Sequence, residues 1–160
     1  MAEPIQGVGG ITPMPCGFVN RAAEHAKNAG GLYLSDEVQT GFGRLGSHYW
    51  GFESLGTKPD IITMAKTIGN GLPLAAIACS KEVADSLSKI TFSTYSANPL
   101  AIAAGRETLK VIDDEGMQEN CQKRGEQLLK GLRELQARHE QIGDVRGQGL
   151  MVGVELVKDK

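Results

Sequence analysis

Lys66 and Asp36 are the side chains whose settings most suggest chemistry. Lys66 stands in Thr63-Met64-Ala65-Lys66-Thr67-Ile68-Gly69-Asn70-Gly71, a lone lysine between an apolar stretch and a glycine-rich turn. A lysine held in a partly desolvated pocket becomes a usable amine nucleophile, because burial disfavours its charged form. Taken alone, it reads more simply as a lysine at a strand end whose ammonium reaches water. Asp36 follows the apolar Leu32-Tyr33-Leu34. A carboxylate buried there needs a partner. A protonated ring nitrogen is one such partner, and the ring would then act as an electron sink. A solvated loop acid or a helix cap is the plainer account of a single aspartate.

Other patterns are weaker. Gly41-Phe42-Gly43-Arg44-Leu45-Gly46 matches the spacing of a dinucleotide loop and follows an apolar run. The fingerprint also needs a helix N-terminus, and Ser47-His48-Tyr49-Trp50-Gly51 is a poor helix start. A nicotinamide or flavin site is therefore not expected, and Gly147-Gln148-Gly149 is weaker still. Cys16, Cys79 and Cys121 lie far apart and are odd in number. They read as buried or indifferent thiols in a reducing compartment, not as a disulfide framework or zinc site. His25, His48 and His139 show no ligand spacing, so no metal is expected. Seventeen basic against 19 acidic residues give a net charge of −2. That balance supplies no electrostatic reason to propose nucleic acid or an anionic membrane as partner. No apolar run is long enough to span a bilayer.

The elements that must position these residues follow from periodicity. Residues 18–29 place Phe18, Ala22, Ala26 and Ala29 on one helical face, and Gly30-Gly31 ends that helix. Short apolar strands are predicted at 32–34, running into Ser35-Asp36-Glu37, at 61–64 and at 74–79. Short continuous apolar runs suggest a parallel or mixed buried sheet. Ligands collect at the carboxyl ends of strands in such sheets, where Asp36 and Lys66 both fall. A helix is predicted over 99–112 with Ile102, Gly105, Leu109 and Ile112 aligned. A second is predicted over 117–139 with Leu128, Leu132 and Leu135 on one face. Asp113-Asp114-Glu115-Gly116 separates them, and a domain boundary is placed there. Strands are predicted at 142–145 and 151–157, the latter with no evident partner. The 21 glycines, about twice the ordinary ~7% share, cluster between these segments as turns around a site do.

Together these segments resemble the class III aminotransferases, a subgroup of the fold-type I enzymes that use pyridoxal 5'-phosphate (PLP). The resemblance covers nearly the whole chain in order. Glu3-Pro4-Ile5-Gln6-Gly7 is similar to the family's E-P-x-Q-G strand end. Asp36-Glu37-Val38-Gln39-Thr40-Gly41-Phe42-Gly43-Arg44 is similar to its most specific signature. Met64-Ala65-Lys66 with Gly69-Asn70-Gly71 resembles the cofactor-lysine motif, and Ser93-Thr94-Tyr95 before Asn98-Pro99 resembles a segment that reaches phosphate across a dimer. Val145-Arg146-Gly147-Gln148-Gly149-Leu150 resembles the segment carrying a substrate arginine.

The resemblance implies an α/β, aspartate aminotransferase-like fold. Residues 1–112 would form part of the PLP-binding large domain and 113–160 the start of the C-terminal small domain. Lys66 would hold PLP as a Schiff base and then act as acid and base. Asp36 would pair with the pyridine nitrogen, Val38 would pack on a ring face, and Gln39 would bond near the phenolic oxygen. Thr94, with Ser93, would bind the phosphate of a neighbouring subunit's cofactor, and Arg146 would grip a substrate carboxylate. Some members carry a glutamate after Q-G that neutralises this arginine. Val8 stands there instead, so an unneutralised Arg146 is expected. That fits alanine or a β-amino acid as donor and glyoxylate or pyruvate as acceptor; the resemblance further implies a homodimer or homotetramer in the full-length form and a mitochondrial location, otherwise a cytoplasmic one. The alternatives are a PLP-dependent phospho-lyase of the same family, or an inactive short form. Ser96 and Ala97 replace the family's usual glycine pair. The family's phosphate loop and ring-stacking aromatic would precede Glu3, and the small domain would continue past Lys160. This chain alone is therefore expected to fold poorly or to have little activity.

Overall fold

The central sheet grows from two short apolar runs laid side by side. In the computed structural model, which describes residues 1–15 and 17–158, strand β3 (Leu34–Asp36) pairs in parallel with β4 (Ile61–Met64). Leu34 lies opposite Ile61 and Asp36 opposite Thr63. Strand β5 (Ala76–Cys79) runs antiparallel along the other side of β4, with Met64 opposite Ala76. The sheet is mixed, one of the two arrangements expected, but it is not buried throughout: Ile77 on β5 is 69% exposed.

Two strand starts differ from prediction for local reasons. The Tyr33 N–H donates to Asp60 Oδ2 at 2.8 Å, and the Tyr33 carbonyl accepts from Asp60 N. The ladder therefore opens at Leu34, and Leu32 stays outside it. Leu74 is drawn away from β5 to fill the space above two glycines. A Cβ on Gly105 would lie 2.5 Å from Leu74 Cδ2, and one on Gly69 would lie 3.1 Å from Leu74 Cβ.

On the outer side of β3, Ala2 forms a parallel bridge with Ser35. From there β1 (Ile5–Gln6) pairs antiparallel with β2 (Thr12–Pro13). Helix α1 (Phe18–Asn28) follows and closes where Gly30 takes φ +79°. Val19 is its buried residue, whereas Phe18 is half-exposed. The expected Phe18-Ala22-Ala26 stripe instead borders an open apolar cleft of about 370 Å³ beside Leu32 and Tyr33. Lys27 at the end of α1 pairs with Asp60 Oδ1 at 3.1 Å. The Tyr33 N–H bond chiefly, with Lys27 adding, holds the Asp60 carboxyl below its ordinary range.

After β5 and the short α3 (Lys81–Asp85) come two long helices. Helix α4 (Pro99–Asp114) begins as predicted, with Asn98 Oδ1 accepting from the N–H groups of Leu100 and Ala101 and Pro99 in the first turn. Gly116, at φ +58°, then turns the chain into α5 (Met117–Gln136). The predicted leucine face of α5 is not its buried face: Leu128 and Leu135 are 43% and 38% exposed, while Cys121 and Gly125 are buried. Backbone contact explains this. A Cβ on Gly125 would sit 2.3 Å from the Gly149 carbonyl oxygen, and one on Gly46 would sit 2.6 Å from Gln122 Cα. Small residues let the helix approach this closely, and leucine would not fit.

Gly149 is the turn between β6 (Ile142–Gln148) and β7 (Met151–Leu156), which pair antiparallel. The apolar run at 150–157 therefore does have a partner, contrary to expectation. The buried apolar residues form two small clusters: Ile5, Leu45 and Met151 with Ile11, and Phe42, Met64 and Ile112 with Tyr49, Trp50 and Leu109. Phe42 meets the Trp50 ring edge-on at 5.0 Å. Of the cysteines, Cys121 is buried and Cys79 exposed, while Cys16 lies outside the described residues.

Glu37 holds the segment between β3 and α2 (Gly51–Ser54). It has no solvent exposure, yet each carboxylate oxygen accepts twice. Oε1 takes Ser35 Oγ at 2.9 Å and Phe52 N at 2.8 Å. Oε2 takes Thr40 Oγ1 at 2.6 Å and Gly51 N at 2.7 Å. The two N–H groups are among those a helix start leaves unpaired. Glu37→Gln would turn an amide NH₂ toward donors, and is expected to lower stability by about 1–3 kcal/mol, read as the urea midpoint. Asp60 gives a pH signature. Its folded pKa lies below the ~3.9 of an unfolded aspartate, so its contribution is complete above that value and lost as pH falls through the folded one. Asp60→Asn is expected to flatten this acid limb of stability, measured by unfolding between pH 2 and about 6.

Candidate active site

Because β3 and β4 run in parallel, their carboxyl ends open on the same edge of the sheet. Asp36 is the last residue of β3, half-buried, with Oδ1 accepting from the Val38 N–H at 3.1 Å. This turn aims the following residues away from the ladder. Three residues past the Asp36 partner Thr63, Lys66 opens a 3-10 turn (Lys66–Gly69). Its φ is +49°, a left-handed conformation that costs a non-glycine residue about 1 kcal/mol or more. The turn holds it there: the Asn70 N–H donates to the Lys66 carbonyl at 3.1 Å, and Gly105 of α4 packs under the Ile68 carbonyl. The Lys66 side chain is exposed and has no ion-pair partner among the described residues.

Lys66 lines an open cleft of about 360 Å³ together with Val38, Gln39, Ile11, Arg44, Thr67 and residues 150–152 of the hairpin. Gln39 lies across Gly7, where a Cβ would fall 2.0 Å from its Nε2. Only glycine at position 7 leaves that space, and Glu3 Oε2 accepts the Gly7 N–H at 3.1 Å to fix the turn. PLP requires an amine for its aldehyde, an acceptor for its ring N–H, a surface for the ring and a polar group for its phenolic oxygen. Lys66, Val38 and Gln39 offer three of these in one cleft, and Asp36, outside its lining, stands at the adjoining strand end with Oδ2 making no hydrogen bond among the described residues. The residues present therefore fit the group.

The other expected residues lie elsewhere. Ser93 and Thr94 sit in a segment, residues 84–100, that is exposed throughout. It carries Leu87, Ile90, Phe92 and Tyr95, which are 64–99% exposed. Ala97 there takes φ +56°, a conformation that glycine adopts freely and alanine does not. Arg146 does not line the cleft. Its Nη1 donates to Asp144 Oδ2 at 2.8 Å and Glu155 Oε2 at 2.7 Å, and its Nε donates to the Gly10 carbonyl at 2.8 Å. Asp144 first, then Glu155, holds the guanidinium above its ordinary pKa, and Arg146 holds the Asp144 carboxyl below its own. The expectation of an unneutralised Arg146 is thus corrected: Val8 is 99% exposed and supplies no acid, but two acids of the hairpin do.

The loop at 41–46 is a series of turns with no helix at its end, so the dinucleotide spacing there is coincidental. Gly43 and Gly46 serve the approach to α5, whereas Gly41 makes room for the Trp50 ring. Sequence reasoning missed Ile11, Arg44, Thr67 and residues 150–152 as cleft walls. The Gly9-Gly10 pair hints at a turn before Ile11, but nothing in the spacing points to β7. Among the described residues, no group of three or more His, Cys, Asp or Glu is placed to hold a metal, and no helix is long and apolar enough to cross a membrane.

Residues 1–160 match the family Aminotransferase class-III. The chain is 51% identical to human mitochondrial alanine--glyoxylate aminotransferase 2, over 99% of this chain and 31% of that protein. It is 47% identical to ethanolamine-phosphate phospho-lyase homolog 1 of Caenorhabditis elegans, over 99% of this chain and 35% of that one. An amine transaminase from an uncultivated Pseudomonas species, in its PLP-bound form, superposes with a TM-score of 0.91 at 39% identity, over 99% of this chain and 38% of that one. The chain thus spans about a third of the length of these relatives.

Proposed function

The chain belongs to the class-III aminotransferases, a PLP-dependent family of fold type I, and we propose that it supplies the cofactor-lysine part of a transaminase. The substrates would be alanine or a β-amino acid as donor and glyoxylate or pyruvate as acceptor. The observation that carries this reading is the parallel register of β3 and β4, which brings Asp36 and Lys66 to one edge with Val38 and Gln39 beside them.

Bound PLP supplies an electron sink for charge developing at the substrate Cα. The residues of this chain do the rest. The Asp36 carboxylate keeps a proton on the ring nitrogen, its charge stabilised by that N–H. Lys66 Nζ would hold the cofactor at its aldehyde carbon and would serve as the base and acid that moves the substrate Cα proton. Val38 would pack on a face of the ring, and Gln39 would hydrogen-bond near the phenolic oxygen. Thr94 and Ser93, on a segment open to solvent, would reach the phosphate held by a second copy, in a homodimer. We place the large-domain part at 1–112 and the small-domain start at 113–160. A mitochondrial site is supported by the names of the relatives. The bonds already made by Arg146 point to a role other than gripping substrate.

A phospho-lyase is the second reading, supported by 47% identity to a protein named for that activity.

Full-length protein carrying this chain is expected to absorb as a PLP protein and to be bleached by borohydride, with the label on the peptide containing Lys66. Lys66→Ala should abolish both. A Lys66→Ala protein that is still labelled at another lysine would end the proposal. The two reactions separate on product: a transaminase needs an oxo acid and forms a new amino acid, whereas a phospho-lyase releases inorganic phosphate from phosphoethanolamine with no acceptor. Amino transfer from alanine to glyoxylate without phosphate release is the expected result.

A further inference from the structure

The Arg146 guanidinium meets the turn at residues 7–11 at Gly10. Nε donates to the Gly10 carbonyl at 2.8 Å, and a Cβ on Gly10 would come within 3.1 Å of Nη2. Gly10 takes φ +101°, so a side chain there would be both strained and in the way. Asp144 and Glu155, on either strand of the hairpin, fix the other end of the fork through Nη1. Gly153, opposite Arg146 on β7, has Ile11 Cβ 3.0 Å from where its own Cβ would stand. The turn is therefore held on the hairpin by the arginine and by close backbone contact.

What the turn carries gives this clamp its meaning. At one end, Gly7 is the seat of Gln39. At the other, Ile11 walls the cleft while sitting at φ +54°. A β-branched residue is a genuine outlier in that region and stays there only if its surroundings fix it. We propose that Arg146 is a positioning residue: it locks the turn at 7–11 so that Gln39 and Ile11 keep their places around the cofactor, and it does not bind the substrate carboxylate. The planar guanidinium suits this task, because a fork can bond a carbonyl and two carboxylates at once. The assignment rests on the PLP reading above.

The test uses full-length enzyme and two amino donors, an amino acid and an amine without a carboxylate. Arg146→Gln is expected to weaken PLP binding about 10-fold, by titration of the apoprotein, and to lower kcat/KM for both donors by a similar factor, since small misplacements around a reacting centre are felt this strongly. Combined with Gln39→Ala, it should lose less than the product of the single losses, because both act through one turn. A rise in KM for the amino acid alone, with PLP affinity and the amine reaction unchanged, would overturn the assignment. So would variants indistinguishable from wild type. If Arg146→Gln does not fold, Asp144→Asn with Glu155→Gln keeps the arginine and its bond to Gly10. The clamp then predicts weaker PLP binding, whereas a tighter KM for the amino acid, from a freed guanidinium, would refute it. Wild-type enzyme that never takes up PLP on Lys66 would instead fail the underlying reading, so the two failures are distinct.

Discussion

One buried carboxylate sets the geometry of the site. Glu37 is enclosed, and burying an unpaired charge would cost more than the fold could offset. Four donors meet it, two from hydroxyls and two from the start of α2. Along an extended chain, neighbouring side chains point to opposite sides. With Ser35 and Glu37 joined on the buried side, Asp36 between them is left to face the other way, and the turn that begins at Val38 brings that residue to the cleft wall. The residue that does no chemistry thereby orients those that would.

Glycine does comparable work at the joint between the loop at 41–46, α5 and the hairpin turn. Gly46, Gly125 and Gly149 each meet a neighbouring backbone where a Cβ would fall within 2.6 Å of another atom. The Arg44 carbonyl accepts from both Cys121 Sγ and the Leu150 N–H. Such contact leaves little freedom to slide, because overpacking a tight joint is destabilising. The wall of the cleft formed by residues 150–152 is thus located by the same loop that continues from Asp36.

Much of this was legible in the residues. The strand at 61–64, both long helices near their true starts, and the placing of Asp36 and Lys66 at strand ends all follow from short-range pattern. The misreadings share a cause. The leucine face of α5 was expected to be buried because periodicity counts apolar surface, but it cannot see that a glycine and a cysteine permit closer approach than leucines do. The partner of β7 is invisible in the sequence because strand pairing is set by tertiary contact. The bond from Arg146 Nε to the Gly10 carbonyl, 136 residues away, likewise leaves no trace in the local sequence. Glu37 passed unnoticed between two residues with clearer roles, since a buried acid is recognisable only once its donors are in place.

The return from β4 to β5 has an evolutionary consequence. The stretch at 65–75 leaves from Met64 and comes back to Ala76, and these two residues are ladder partners. Both ends of the loop are therefore tied together at its base, with Lys66 near the departing end. Insertions or deletions at the far side, around residues 71–73, would change only loop-closure entropy, which grows slowly with length. Residues 71–73 border a separate open pocket with Lys66, Thr67 and Asn70, so lineages could alter the approach to the amine from that side while the sheet keeps the amine in place.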